Sequence, residues 1–321
     1  MTAPTPEMPV DRANKPITPE LVPLTEDFEN GYHFPPKYPF KTQCEHAWKT
    51  SVAFVTTWKG FLITIYCLNV VAWGGMLFLL LCNASPAMCD PNCDDKDTSP
   101  RQIWLEIDSQ ILNALFCLLA WGLAPWRFRD LYYLLKYRWG GDFDGLRHLA
   151  GIHSDWFRLP ESQNLPTDVG VGNIPDGTPA AAVPIPESKM AAAPLTGVRA
   201  PATPLWKLDT VVWLFVSNTF VQVGLASVMW GLNKYNRPSV ATAMLVVVGC
   251  LTGMVAGQVM GSEGSSVKAI EGVPLTDEDR EKLRSDKEAG ILHYNNKKDR
   301  APKEKKKKKT PCDNSEKMPP V

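Results

Sequence analysis

This chain predicts an all-α fold: a four-transmembrane-helix bundle of two hairpins with disordered cytosolic tails and linker. Three observations carry that expectation. The run Gly60 to Cys82, GFLITIYCLNVVAWGGMLFLLLC, holds no charged residue, and at about 1.5 Å per helical residue it is long enough to cross a hydrocarbon core of roughly 30 Å. Three further apolar runs follow, at about 107–126, 210–232 and 239–261. Between and around them lie polar, Pro-rich stretches, which cannot bury enough apolar surface to offset chain entropy.

The bulk composition hides this alternation, because 34 basic residues balance 34 acidic ones and 28 prolines are spread over 321 positions. Read along the chain, it divides into a tail (1–57), a first hairpin with a juxtamembrane helix (58–159), a Pro/Ala-rich linker (160–205), a second hairpin (206–261) and a basic tail (262–321). No basic start, apolar stretch and cleavage site opens the chain, so the first span is expected to act as an uncleaved anchor.

The second span is the shortest. Ile111 to Trp126 counts 16 residues, about 24 Å of helix, and must borrow from Ile107 to Gln110 to reach across. Its start is marked by Ser99 as N-cap, Pro100 at the first helical position and Gln102 three residues on. Glu106 and Asp108 then sit near a helix N-terminus, where the macrodipole favours them. The third and fourth spans are joined by only Asn233 to Pro238, which predicts a tight antiparallel hairpin.

Lysine and arginine at span ends predict orientation. Lys49, Lys59, Arg127, Arg129, Lys136, Arg138, Lys207 and Lys268 flank one side, against Lys96, Arg101, Lys234 and Arg237 on the other. Eight against four places both termini in the cytosol. Trp58, Trp104, Trp126, Trp206 and Trp230 fall at span ends, as an aromatic belt requires.

No ionisable residue is expected in the middle of a span, which counts against a proton-coupled transporter. The polar groups there are the amides Asn69, Asn113, Asn218 and Gln222, which either glue helices together or line a polar path. Gly249, Gly253, Gly257 and Gly261 form one stripe on the fourth span, and Gly224 and Gly231 offer a matching surface on the third. Such stripes allow close backbone approach. An intramolecular contact is the favoured reading and homo-oligomerisation the alternative.

After the second span, WRFRDLYYLLKYRWG places Phe128, Leu131, Tyr132, Leu135 and Trp139 on one helix face. That pattern fits a helix lying in the interface with Arg127, Arg129 and Lys136 directed at anionic headgroups, or a cytosolic continuation of the span. Asp142-Phe-Asp144-Gly resembles a phosphatase DxDG loop but lacks the preceding strand and following threonine, so turn formation and capping is the better reading. Asp142, Asp144, His148, His153 and Asp155 match no defined metal spacing. Cys89 and Cys93 would lie in the outer loop, where a local disulfide is plausible, with Cys82 a competing partner. In the C-terminal tail Lys305, Lys306, Lys307, Lys308 and Lys309 suit electrostatic attraction to anionic lipid.

The block Trp58 to Trp156, with WKGFLITIYCLNVVAWGGMLFLLL, APWRFRDLYYLLKYRWG and GLRHLAGIHSDWF, resembles a family of uncharacterised fungal multi-spanning membrane proteins known only as a domain of unknown function. The resemblance implies a fungal source and a membrane location and supplies no catalytic residue. The expected function is therefore that of a non-enzymatic integral membrane protein of plasma membrane or endomembrane. It would organise partners or anionic lipids of the cytosolic leaflet through its juxtamembrane segment and polybasic tail. No cofactor, catalytic group, metal or nucleic acid enters this reading. The alternatives are a channel or transporter subunit using the intramembrane amides and, less favoured, a metal-dependent membrane enzyme.

Overall fold

The computed structural model describes residues 25–89, 93, 95 and 97–301. The lysines Lys305 to Lys309 and the acidic positions Asp90 and Asp94 lie outside the described residues. Within them the chain is all-helical, and no strand occurs. In chain order the helices are α1 (Phe40–Val55), α2 (Trp58–Leu81), α3 (Pro100–Gly122), α4 (Ala124–Arg138), α5 (Phe143–Ile152), α6 (Leu205–Gly231), α7 (Ser239–Glu271) and α8 (Asp277–Glu288). Four of them, α2, α3, α6 and α7, are long and apolar enough to cross a membrane. Four such helices are the pattern of a multi-pass membrane protein.

The helices form in two hairpins. Tyr66 donates its hydroxyl to the Leu115 carbonyl (3.1 Å) and Arg101 donates to the Leu80 carbonyl (2.8 Å), so α2 and α3 run antiparallel. The second hairpin closes where glycine removes side-chain bulk: a Cβ added at Gly249 would meet Val221 at 3.5 Å, and one at Gly224 would meet Leu245 at 3.8 Å. Gly253 faces Asn218, whereas Gly231, Gly257 and Gly261 have open space around them. Only part of the stripe therefore lies against α6.

Three expectations about the elements need correction. The second span ends at Gly122 rather than Trp126, because Pro125 lacks an N–H and its ring clashes with the preceding turn, so α3 stops and α4 begins. Ser99 does sit before Pro100, yet its hydroxyl makes no cap bond and turns instead to the Met88 carbonyl. The fourth helix continues beyond Gly261 to Glu271, where Arg158 binds the Glu271 carboxylate at 2.7 and 2.9 Å.

The segment 160–205 is not a disordered linker. It folds through short 3-10 turns at Ser162–Asn164, Ala180–Ala182 and Glu187–Lys189, around buried Leu165, Val169, Ala182 and Met190. Its backbone carbonyls find partners in arginine: Arg199 donates to Leu165, Pro166 and Val169, and Arg147 to Val183. Apart from this segment, α4, α5 and the chain that follows them cover the first half of α6, where Leu208, Val211 and Val212 are buried against Leu134, Leu146, Leu149, Trp156 and Phe157. Asp142 caps α5 by accepting from the Asp144 N–H at 2.9 Å.

Residues 25–37 and 275–301 form a second compact unit, so these parts of the expected tails are folded. Tyr32 and Phe34 are buried, with ring centroids 5.3 Å apart. Asn295 accepts from the Phe34 N–H (3.0 Å) and donates to the Glu26 carbonyl (2.6 Å). Helix α8 begins with a reciprocal capping box between Thr276 and Asp279.

Candidate functional site

Arg127 sits in the first turn of α4, two residues after the proline that ends α3. The break swings its side chain inward. Its Nη1 donates to Asn218 Oδ1 at 3.0 Å and Thr219 Oγ1 at 2.9 Å, and its guanidinium carbon lies 5.3 Å from the Phe215 ring centroid. Asn218 is equidistant from the two ends of α6. A cation is therefore held at the middle of a spanning helix by an amide oxygen, a hydroxyl and an aromatic face. Among the described residues no carboxylate lies within ion-pairing distance of it.

This separates Arg127 from the other basic residues of α4. The guanidinium of Arg127, on α4 just beyond the second span, turns to the middle of α6 rather than outward. Arg129 and Lys136, by contrast, stay at the surface, where Arg129 pairs with Asp130 at 2.9 Å and Lys136 with Asp142 at 2.8 Å. The hydrogen bond from Lys136 holds the Asp142 carboxyl below its usual range.

The amides continue the polar seam. Asn218 Nδ2 donates to the Gly249 carbonyl (2.8 Å) and Thr252 Oγ1 (3.2 Å), tying α6 to α7. One turn on, Gln222 Nε2 donates to Asn113 Oδ1 and to Cys117 Sγ, each at 3.2 Å, tying α6 to α3. Asn113 is 3 % exposed and its Nδ2 has no partner. Asn69 only returns to its own helix, donating to the Ile65 carbonyl.

Two cavities follow this seam. One, about 360 Å³, has Arg127, Asn218 and Gln222 among walls of Phe116, Leu119, Leu245 and Gly249. The other, about 510 Å³, opens toward the loop end and includes Asn113, Glu106 and Arg237. Phe116, Leu225 and Val246 line both, so the two meet at a shared wall between α3, α6 and α7. At the loop end Arg237 and Glu106 form a bidentate pair at 2.8 and 3.0 Å. Lys234 pairs with Asp97 at 2.8 Å, and hydrogen bonds from Lys234 and Tyr235 hold the Asp97 carboxyl low.

Asp108 lies outside both linings. It is fully buried in α3, and neither carboxylate oxygen has a hydrogen-bond partner. It is therefore not simply a residue favoured by a helix N-terminus. The residues of the supposed metal cluster are spread apart: His148 stacks on Tyr133 with centroids 4.4 Å apart, and His153 faces Asp130 at 3.5 Å. Among the described residues no group of three His, Cys, Asp or Glu side chains gathers to hold a metal. Cys89 and Cys93 are joined as a disulfide, while Cys82 is free.

Arg127 and Asp108 could have been suspected from sequence only by combining distant signals. Pro125 marks the break that turns Arg127 inward, and Ser217-Asn218-Thr219 is a polar triplet within an apolar span. Nothing in local sequence pairs the two.

A family model described as "Protein of unknown function (DUF2985)" matches residues 53–137, from the end of α1 through most of α4, and so takes in Asn113 and Arg127 but not their partners on α6. No curated protein and no solved structure matches the chain.

Proposed function

We propose that this is a non-enzymatic multi-pass membrane protein whose bundle binds an anionic amphiphile, with the acidic group on Arg127 and the apolar part along the cavities between α3, α6 and α7. One observation carries the reading: a guanidinium at mid-helix depth whose hydrogen-bond partners are neutral, on the wall of a largely apolar cavity. Charge at that depth is costly and is a mark of function, and a guanidinium forms its strongest hydrogen bonds with anionic oxygen. Under this reading both termini face the cytosol, and Arg129, Lys136 and Lys305 to Lys309 add contacts with the anionic leaflet. The test is lipid retention by protein purified in mild detergent and read by native mass spectrometry. Phosphatidic acid should be retained at least tenfold better than phosphatidylcholine, and Arg127→Gln should erase that preference while the protein still unfolds in a cooperative thermal transition. Equal retention of both lipids by the wild-type protein would overturn the proposal.

A second reading is a conductive or transport path, favoured by the shared wall of the two cavities and by the unpartnered Asn113 Nδ2. It predicts solute flux in proteoliposomes that Asn218→Leu abolishes. No flux for cations, anions or small neutral solutes would count against it.

A further inference from the structure

Helix α1 presents an apolar face that no other part of the described protein covers. On a helical projection Phe40, Cys44, Ala47, Trp48, Val52 and Val55 fall on one side, which also carries Ser51 and, toward its edge, Lys41; Thr42, His46 and Lys49 lie opposite, and Glu45 marks the boundary next to Val52. None of its residues is buried, and Phe40 and Trp48 are 81 % and 72 % exposed.

What this face meets is constrained by the elbow at its end. Only Thr56 and Thr57 separate α1 from α2. A Cβ added at Gly60 would stand 1.9 Å from the Phe54 carbonyl oxygen. In one continuous helix those residues would be about 9 Å apart along the axis, so the chain turns sharply and α1 does not extend the span. The elbow is also held by threonine hydrogen bonds. Thr56 Oγ1 donates to the Ala53 carbonyl (2.8 Å), and Thr57 Oγ1 donates to the Phe54 carbonyl (2.7 Å) while accepting from the Gly60 N–H (3.1 Å). Two threonines thus satisfy the last carbonyls of α1 and cap α2, which suits a bend placed where water is scarce.

We infer that α1 is an in-plane amphipathic helix whose Phe40–Trp48–Val55 face inserts into the interfacial region of the bilayer beside the first span. The occupant is lipid rather than a soluble partner, because a helix fixed two residues from a span by a rigid elbow is held at the membrane surface whatever else binds. Apolar burial at the headgroup boundary with a charged opposite face is the recognised chemistry of such helices. Trp48 on the apolar face is a residue type that prefers that depth.

The test uses the full chain in liposomes with every free cysteine other than Cys44 replaced by serine. A second version carries Cys44→Ser and Lys49→Cys. A water-soluble maleimide should label position 49 at least tenfold faster than Cys44, and Trp48→Glu should bring the two rates together. Equal labelling of both positions without that substitution would overturn the inference. So would protection of Cys44 that disappears at one protein copy per vesicle, since the face would then be covered by a second copy. Protection that persists at that dilution supports lipid.

Discussion

Arg127 Nη1 and Asn218 Oδ1 are 3.0 Å apart at the midpoint of α6, and the same amide passes the connection on to the Gly249 carbonyl. One side chain therefore links α4, α6 and α7. Removing either member leaves the other's polar group unpaired in an apolar surrounding, at about 1–3 kcal/mol. Arg127→Met and Asn218→Leu are each expected to destabilise by that amount. The double variant should lose less than the sum, with a coupling of about 0.5–3 kcal/mol. Unfolding in detergent checks this, and strict additivity would show that the contact contributes nothing.

Asp108 predicts the opposite sign. A carboxylate that is fully buried without a hydrogen bond costs stability in the folded bundle. Asp108→Leu replaces the unpartnered polar group by an apolar one of similar length, so it should raise stability by about 1–3 kcal/mol. A lowered thermal midpoint would mean that the acid group gains a partner in the bilayer.

The four spans were legible because hydropathy over a helix length does not depend on tertiary contacts, and the short turn 233–238 joins the last two locally, whereas the stop imposed by Pro125 was read through. The inward course of Arg127 was not. A basic residue just beyond an apolar run reads as a flank, and only the break at Leu123 together with Asn218 and Thr219 ninety residues later reverses that reading. Segment 160–205 hid its order for a different reason. It is held by arginines on backbone carbonyls and by close glycine contacts, neither of which leaves an apolar period in the sequence. The polar face of α1, by contrast, was visible in Glu45, His46 and Lys49, but its proline-rich surroundings made it look like unstructured tail.

Those glycine contacts are testable. A Cβ at Gly145 would meet the Tyr133 carbonyl oxygen at 2.6 Å, and one at Gly151 the Ile185 carbonyl oxygen at 2.5 Å, both backbone atoms that cannot rotate away. Gly145→Ala and Gly151→Ala should each cost about 1–3 kcal/mol through forced backbone shifts. Gly74 in α2 has nothing within 4 Å, so Gly74→Ala should be neutral or gain up to about 1 kcal/mol from helix propensity. Thermal unfolding of the three variants side by side separates crowding from propensity. Equal behaviour of all three would remove the argument for tight packing at α5.

His293 makes the second compact unit sensitive to pH. Its ring nitrogens face Asp299 at 2.7 Å and Asp286 at 2.9 Å. Burial alone would lower its pKa, but the hydrogen bonds that the charged ring donates to the two aspartates outweigh that and leave it raised. A raised folded pKa means that stability is fully present below the unfolded value of about 6.5 and is lost as pH climbs through the folded one. Burial pushes Asp299 up, yet hydrogen bonds from Lys37, Tyr294 and His293 leave it lowered. Asp286 is lowered by Lys282 and then by His293. Their contributions are present above about pH 4 and are lost on acidification. The unit should therefore be tightest between those limits, near pH 5 to 6. Trypsin cleavage at Arg284 and Lys297, corrected for the enzyme's own pH profile, should accelerate from pH 6 to pH 8 in the wild type. His293→Gln should be cleaved faster throughout and lose that dependence, and an unchanged profile in the variant would show that the titrating group is elsewhere.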